Sequence, residues 1–363
     1  MSARAGRGCP SFEGRARLRE ELTSPQLSIC IATLNRAAEL ARMLDSIVSQ
    51  ATDAVEIAIV DGASRDATPQ VVAEIQGRFP HVRYLRLPEK GGVDRDYDRS
   101  VELATGAYCW LLSDDDILKP GAIAAVLEAT RGGYDLVVVN AEGRSADLER
   151  VIDDRRLQVH ADRVWTPAEQ EGFFAATAGY LSFIGGVVIR RDLWLSRERE
   201  RFFGSAFVHI GVIFQSPLPG DIRVLAHPWI ALKLGSAEWS ARAFEIWMFK
   251  WPGLIWSFER FSPAARAAVT RPEPWRRPSA LLRYRARAAY GAAHYAQLLA
   301  PRLDSALARG LAWGVAHVPL WVANLVGLAF YTLVRPSEVE LLDLRTSPAY
   351  YRRLFRRRAP GAA

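Results

Sequence analysis

Residues Leu111-Leu112-Ser113-Asp114-Asp115-Asp116-Ile117-Leu118 carry three adjacent carboxylates at the end of an apolar run. Charges so close repel one another strongly unless a cation intervenes. A hard ion, Mg²⁺ or Mn²⁺, suits carboxylate oxygens and keeps positions free for substrate phosphates. The competing reading is a solvated acidic turn ahead of the helix after Pro120, favoured by the helix dipole.

What precedes this cluster alternates strand and helix. Leu27–Ile31 is a short apolar strand, followed by helical spacing through Leu40, Met43, Leu44, Ile47 and Val48. Val55–Val60 is a second strand ending at Asp61-Gly62, and a helix over Ala67–Phe79 follows Ser64 and Asp66, both plausible caps. Further strands fall at Val82–Leu87 and Tyr108–Leu112. Such alternation predicts a Rossmann-like α/β fold, a mostly parallel sheet with helices on both faces. Ligands bind such sheets at the carboxyl ends of the strands. The polar residues there are Thr33 and Asn35, Asp61 and Ser64, and the acids 114–116.

Beyond residue 140 the pattern weakens. Ala141–Arg163 is polar, a loop or hairpin insertion, and Gly185–Ile189 reads as a returning strand with a helix from near Asp192. After about residue 236 the chain turns aromatic (Trp239, Trp247, Trp251, Trp256), then basic and alanine-rich over 279–300. The expected divisions are a basic disordered leader over 1–25, an α/β domain over 26–235 and an aromatic and basic helical region over 236–363. Leu311–Val334 holds no Asp, Glu, Lys or Arg and is long enough to span a bilayer, but His317, Pro319 and Asn324 interrupt it. A span, a re-entrant or interfacial segment and a buried core helix all remain open. Tryptophans with Arg242 and Lys250 suit a membrane interface or, alternatively, an aromatic core around a pocket.

The chain has 363 residues and a net charge of +7. Arginines gather near both ends, at Arg15, Arg17 and Arg19 and again at Arg356, Arg357 and Arg358, outside a more neutral body. That distribution fits docking to a membrane at least as well as nucleic-acid binding, for which the basic ends are the sole argument. Cys9, Cys30 and Cys109 lack metal spacing; the latter two sit in apolar strands as buried thiols. The turn after the first strand lacks G-x-G-x-x-G, which argues against a dinucleotide enzyme.

The order LSICIATLNR, EIAIVDGASRDAT and EKGGVDRDYDRSVELATGAYCWLLSDDD closely resembles the family 2 glycosyltransferases of GT-A fold. With FIGGVVIRRDLW it looks like the branch holding abequosyltransferases and related O-antigen enzymes. The resemblance implies that Asp61 accepts from the nucleobase and that Thr33 and Asn35 line the same pocket with Ser64. Asp115 and Asp116 match the last acids of the family's D-x-D-D pattern, while Ser113 stands at the first. Asp114 joins the nucleotide-binding set, and Asp114 with Asp116 is the alternative metal pair. Ala32 and Leu34 replace the usual proline and aromatic. Arg95 suits a phosphate, or an ion pair with Asp94 or Asp98.

Where relatives carry a Glu-Asp pair this chain reads Ser205-Ala206-Phe207-Val208-His209, so His209 is the candidate base, a core histidine being the other reading. Asp192 and Glu238 are alternatives. The resemblance implies inverting transfer from a nucleoside diphosphate sugar to a lipid-linked or glycan acceptor, in bacterial surface polysaccharide synthesis. The resemblance further implies that a divalent cation, Mg²⁺ or Mn²⁺, holds the diphosphate, and the expected enzyme associates with the cytoplasmic face of the cell membrane and has no nucleic-acid partner. The competing expectation is a non-catalytic nucleotide-binding subunit of a glycan assembly system.

Overall fold

The computed structural model describes residues 25–235 and 242–350. Strands β1 (Leu27–Thr33), β2 (Val55–Asp61), β3 (Val82–Arg86) and β4 (Tyr108–Ser113) are all parallel, in the order β3-β2-β1-β4. The apolar runs of β1, β2 and β4 are nearly continuous because both faces are covered, whereas β3 at the edge keeps Arg83 and Arg86 exposed. Ile29, Ile31, Ile57 and Ile59 enter one core, and Cys30 and Ala58 enter the other. Helix α1 (Ala37–Val48) buries Leu40, Met43, Leu44 and Ile47 on a single stripe, each worth about 1.5–3 kcal/mol before entropy is counted. Helices α2 (Thr68–Arg78) and α3 (Val93–Leu103) complete the alternation, and α4 (Ala122–Thr130) follows β5 (Ile117–Leu118). Cys30 and Cys109 are buried free thiols.

The second half of the sheet is mixed. β9 (Val187–Arg190) runs antiparallel between β4 and β6 (Leu136–Arg144), and β10 (Ile222–Lys233) lies parallel to β6 and antiparallel to β5. The segment expected as a loop from Ala141 is strand as far as Arg144, because Ala141 is core and Glu142 is buried against Lys119 (2.8 Å). A hairpin does follow: β7 (Val151–Asp153) pairs back onto β6, and β8 (Arg163–Trp165) pairs with β10. Helices α5 (Gln170–Leu181), α6 (Arg191–Ser196) and α7 (Val208–Phe214) pack on this half.

From residue 242 the described chain is helical, but the first helices there are not separate from the sheet. Ile246, Trp251, Leu254, Ile255, Phe258 and Ala265, from α8 (Trp251–Trp256), α9 (Pro263–Val269) and their surroundings, share a core with β4 and α5. Trp251 meets Phe207 edge-on at 4.8 Å, and the indole N–H of Trp256 donates to the Thr270 carbonyl (2.9 Å). These tryptophans therefore fill a core instead of forming a membrane belt; Trp239 lies outside the described residues. A second core surrounds Phe244, Trp275 and Tyr290, including α10 (Pro278–Ala286). α11 (Ala306–His317), α12 (Leu320–Ala329, continuing to Val334) and α13 (Glu338–Thr346) are the last helices among the described residues. Among the described residues no single helix is long and apolar enough to cross a membrane; α11 and Leu320–Val334 meet at a bend of 96°.

Candidate active site at the strand ends

Register brings the site together. Thr33 pairs with Asp61, and Ala32 with Ser113, so β1 delivers its last residues between the ends of β2 and β4. Thr33 Oγ1 donates to Asp114 Oδ2 (2.8 Å). Arg36, just beyond β1, reaches Asp114 with Nε (3.2 Å) and Asp115 with Nη2 (2.7 Å). Ser113 Oγ donates to Asp115 Oδ1 (2.7 Å). Asp116 differs: it is 1% exposed and neither carboxylate oxygen has a hydrogen-bond partner. Burial, then the charges of Asp115 and Asp114, push its carboxyl well above the usual range.

The turns after β1 and β2 are stitched to each other. Asn35 adopts a φ of 55°, a conformation in which asparagine is enriched. Its backbone N–H donates to Ser64 Oγ (2.8 Å), and its Oδ1 accepts from Arg65 N (2.7 Å). Ser64 is thus a bridge between turns and not a helix cap. Asp66 does meet the start of α2, accepting from Thr68 N (3.1 Å). Asp61 is fully buried, accepting from Ser64 N (2.8 Å) and from the Tyr84 hydroxyl (2.6 Å), with Arg86 Nε at 3.8 Å.

Helix α3 brings three acids with three fates. Asp94 accepts from the N–H groups of Gly204, Ala206 and Val208 (2.8, 2.8 and 3.0 Å), pinning the turn before α7. Asp98 takes the Trp194 indole N–H (2.8 Å) and Arg199 (2.7 Å). Asp96 points into the strand-end region. A Cβ on Gly91 would lie 2.4 Å from its Oδ1, and one on Gly62 3.2 Å from its Oδ2. Its buried Oδ1 has no hydrogen-bond partner, and burial raises its carboxyl. Arg95 is exposed and lies over the Phe203 ring at 5.5 Å, making neither expected ion pair.

Of the described base candidates, His209 is packed in the core and Asp192 lies at the far end of the sheet. His209 is 2% exposed in the apolar core of α7, and its Nε2 meets the Leu181 carbonyl (2.9 Å). Burial lowers its pKa to about 4, so the ring is a neutral core group. Asp192 pairs with Arg190, which is in register with Tyr108 at the start of β4. That places it about 17 Å along the strand from Ser113, at the opposite sheet edge. The Arg190 bond lowers its carboxyl, and its burial opposes this less strongly. Glu238 lies outside the described residues.

Residues unassigned from sequence now stand out: Arg36, Tyr84, Arg86 and Asp96. Tyr84 and Arg86 alternate on the β3 face beside Asp61, and Arg36 is the one cation within four residues of the end of β1. β10 continues past its pairing with β5 to Lys233, and Gly235 follows two residues on. Gly235 lines a cavity of about 600 Å³ at the seam with the helical region, together with Arg156, Trp247, Trp251, Arg287 and Asp343.

Among the described residues no three His, Cys, Asp or Glu side chains form a metal cage. Mg²⁺ is characteristically held by one or two carboxylates plus substrate phosphates, so none is required. A buried carboxylate with two unpartnered oxygens is the donor such an ion needs.

Fold and strand-end acids together define a GT-A-like α/β domain. Residues 28–191 match the family model described as Glycosyl transferase family 2. The chain is similar to the abequosyltransferase RfbV of Salmonella typhimurium, 25% identical over 53% of this chain and 62% of that one. It is also similar to the GalNAc(5)-diNAcBac-PP-undecaprenol beta-1,3-glucosyltransferase of Campylobacter jejuni, 31% identical over 32% of this chain and 38% of that one. It thus spans less than two thirds of the length of either relative. Its fold matches S. aureus TarS 1–349 with a TM-score of 0.50 at 14% identity, covering 88% of this chain and 89% of that one. That protein has also been solved in complex with UDP-GlcNAc.

Proposed function

We propose that this chain transfers a sugar, with inversion, from a nucleoside diphosphate sugar to a lipid-linked or glycan acceptor in bacterial surface polysaccharide synthesis, at the cytoplasmic face of the cell membrane. The observation that carries this is Asp116, a fully buried carboxylate without partners beside Asp114 and Asp115 at the end of β4. Asp115 and Asp116 would hold a divalent cation, Mg²⁺ or Mn²⁺, which when bound neutralises charge developing on the leaving diphosphate. Thr33 and Arg36 keep Asp114 and Asp115 turned toward one point. Asp61, Asn35, Ser64 and Tyr84 form the rigid floor for the nucleoside, and Asp96, whose Oδ1 has an ion pair with Arg99 (3.5 Å) but no hydrogen bond, offers it an acceptor. Arg95, exposed near the start of α3, remains the arginine for an arriving phosphate. The acceptor would enter the seam cavity, where Trp247 and Trp251 provide faces for a sugar ring.

Glu238 is the base retained by this reading. His209 is assigned to packing and Asp192 to the Arg190 pair. Titration calorimetry with several nucleoside diphosphates, with and without Mn²⁺, followed by transfer assays, tests the proposal. Cation-dependent binding with turnover supports it. Binding without turnover across a broad acceptor panel would favour the non-catalytic subunit, which the distance of Asp192 and the burial of His209 keep in view.

A further inference from the structure

The large hydrophobic side chains exposed among the described residues gather almost entirely on one element, the bent pair α11–α12; Leu85, Val93 and Val151 are the exceptions. Leu307 is 75% exposed, Leu333 79% and Val334 70%, with Leu311, Trp313 and Trp321 also open. The opposite side of the pair is fixed to the body. Asn324 Nδ2 donates to the carbonyls of Ala286 (3.1 Å) and Leu344 (3.0 Å), and Tyr290 donates to Ala312 (2.9 Å). The elbow is written into the sequence: Val318 precedes Pro319 and takes an extended conformation (ψ 129°), which ends α11. Arg285 Nε holds the Val318 carbonyl at 2.7 Å.

The two arms are about 18 and 22 Å long at 1.5 Å per residue, each shorter than the roughly 30 Å hydrocarbon core of a bilayer. With a 96° bend between them, neither arm nor the pair makes a straight span. From Ser305 to Ser337 there is no Asp or Glu, while Arg309 and Arg335 stand near the two ends. Exposed indoles at Trp313 and Trp321 suit the depth of lipid headgroups. We infer that α11 and α12 are an in-plane anchor that seats their outer face in an anionic lipid leaflet.

The anchor also locates the seam cavity. α10 and α13 touch the pair through Ala286 and Leu344, and the same two helices wall the cavity with Arg283, Tyr284, Glu340 and Asp343. The cavity is therefore one helix away from the lipid-facing side. This link rests on the proposed lipid-linked acceptor; the anchoring geometry does not.

Flotation of the full chain with vesicles, without nucleotide, reads the anchor alone. Binding should be strong to phosphatidylcholine containing phosphatidylglycerol and weaker to phosphatidylcholine by itself. The combined variant Leu311→Ser, Trp313→Ser, Phe330→Ser, Leu333→Ser should bind more than tenfold more weakly. Arg309→Gln and Arg335→Gln should each weaken binding to the anionic vesicles about fivefold. Mn²⁺-dependent nucleoside diphosphate binding should persist in all of them, so a failed anchor is distinguishable from a failed transferase. Tryptophan emission, compared with Trp313→Phe and Trp321→Phe, should be quenched more by lipids brominated near the headgroup than near the bilayer centre.

The anchor is overturned if the intact chain ignores both kinds of vesicle, or if the four-site variant floats as well as the parent. Strongest quenching at the bilayer centre would overturn the in-plane seating. A dimer in light scattering that the four-site variant dissociates, without vesicle binding by the parent, would assign the surface to a second copy instead.

Discussion

The strand ends and the bent pair α11–α12 invert the usual partition of residues in opposite directions. At the strand ends, Asp61, Asp96, Asp114 and Asp116 are buried. On the bent pair, leucines and tryptophans face outward over an element without acids. Buried charge and exposed apolar surface are each costly in an isolated soluble protein, and each is relieved by a partner of matching chemistry. The first calls for a polar, cationic ligand and the second for lipid.

The comparison breaks first at Asp116. Asp116→Asn should lower sugar transfer at least about a thousandfold by removing the anionic donor that the proposed cation requires. The variant should fold as well as the parent, because a buried unpartnered charge contributes nothing favourable to the apo state. Transfer assays beside thermal melts check both halves. Full activity would return the acidic run to the solvated turn that its sequence also allowed.

Next in size is a contrast within α3. Asp94→Asn should cost about 2–3 kcal/mol, since an amide presents one acceptor oxygen to a turn that now donates three N–H groups. Asp96→Asn should leave the melting temperature nearly unchanged and weaken nucleotide binding. Chemical denaturation and calorimetry on the two variants separate the staple from the pocket-facing acid.

Much of this was legible in the sequence, and the misses share a cause. The largely apolar runs of β1, β2 and β4 and the Val82–Leu87 segment of β3 mark these strands and their polar ends in the sequence itself. β10 was missed because His227 and Pro228 interrupt it; the structure absorbs them with a register shift between Leu225 and Pro228. The tryptophans after residue 242 carry no periodic signal that separates a core from a membrane belt. Arg36 lay inside a quoted motif, but only the β1–β4 register sets it against Asp114 and Asp115. His209 had a core-like neighbourhood from the outset, and the three-residue alternation of Asp94, Asp96 and Asp98 says nothing of their separate partners.

A smaller effect tests whether the buried acid away from the site behaves as structure alone. Glu56 accepts from Ser28, Thr105, Gly106 and Arg83 at the end of the sheet opposite the acidic cluster. Burial works to raise its carboxyl, but these bonds together hold it below its ordinary 4.5. A carboxylate with a lowered folded pKa adds stability above the unfolded value, and that stability is lost as pH falls through the folded one. Glu56→Gln should therefore cost about 1–3 kcal/mol near neutrality, with the difference from the parent shrinking below pH ~4. Denaturant melts across that range measure it. A penalty that stays constant into acid would mean that the charge is irrelevant and packing alone carries the effect.

The smallest expected change belongs to the other region. Leu333→Ser removes an apolar side chain that is 79% exposed, so its cost to folding should stay within about 0.5 kcal/mol. Leu344→Ala, one helix inward and 1% exposed, should cost about 2–4 kcal/mol through the cavity it leaves against Ala323 and Gly327. If melts show both variants equally destabilised, the outer face of α12 is packed in solution against another part of the protein, and its apolar character ceases to argue for lipid. If Leu333→Ser is silent in the melt yet weakens vesicle binding, the same leucine has been shown to serve no folding purpose while serving a binding one. That outcome would set the leucine beside Asp116, a second side chain whose placement serves a partner and not the fold.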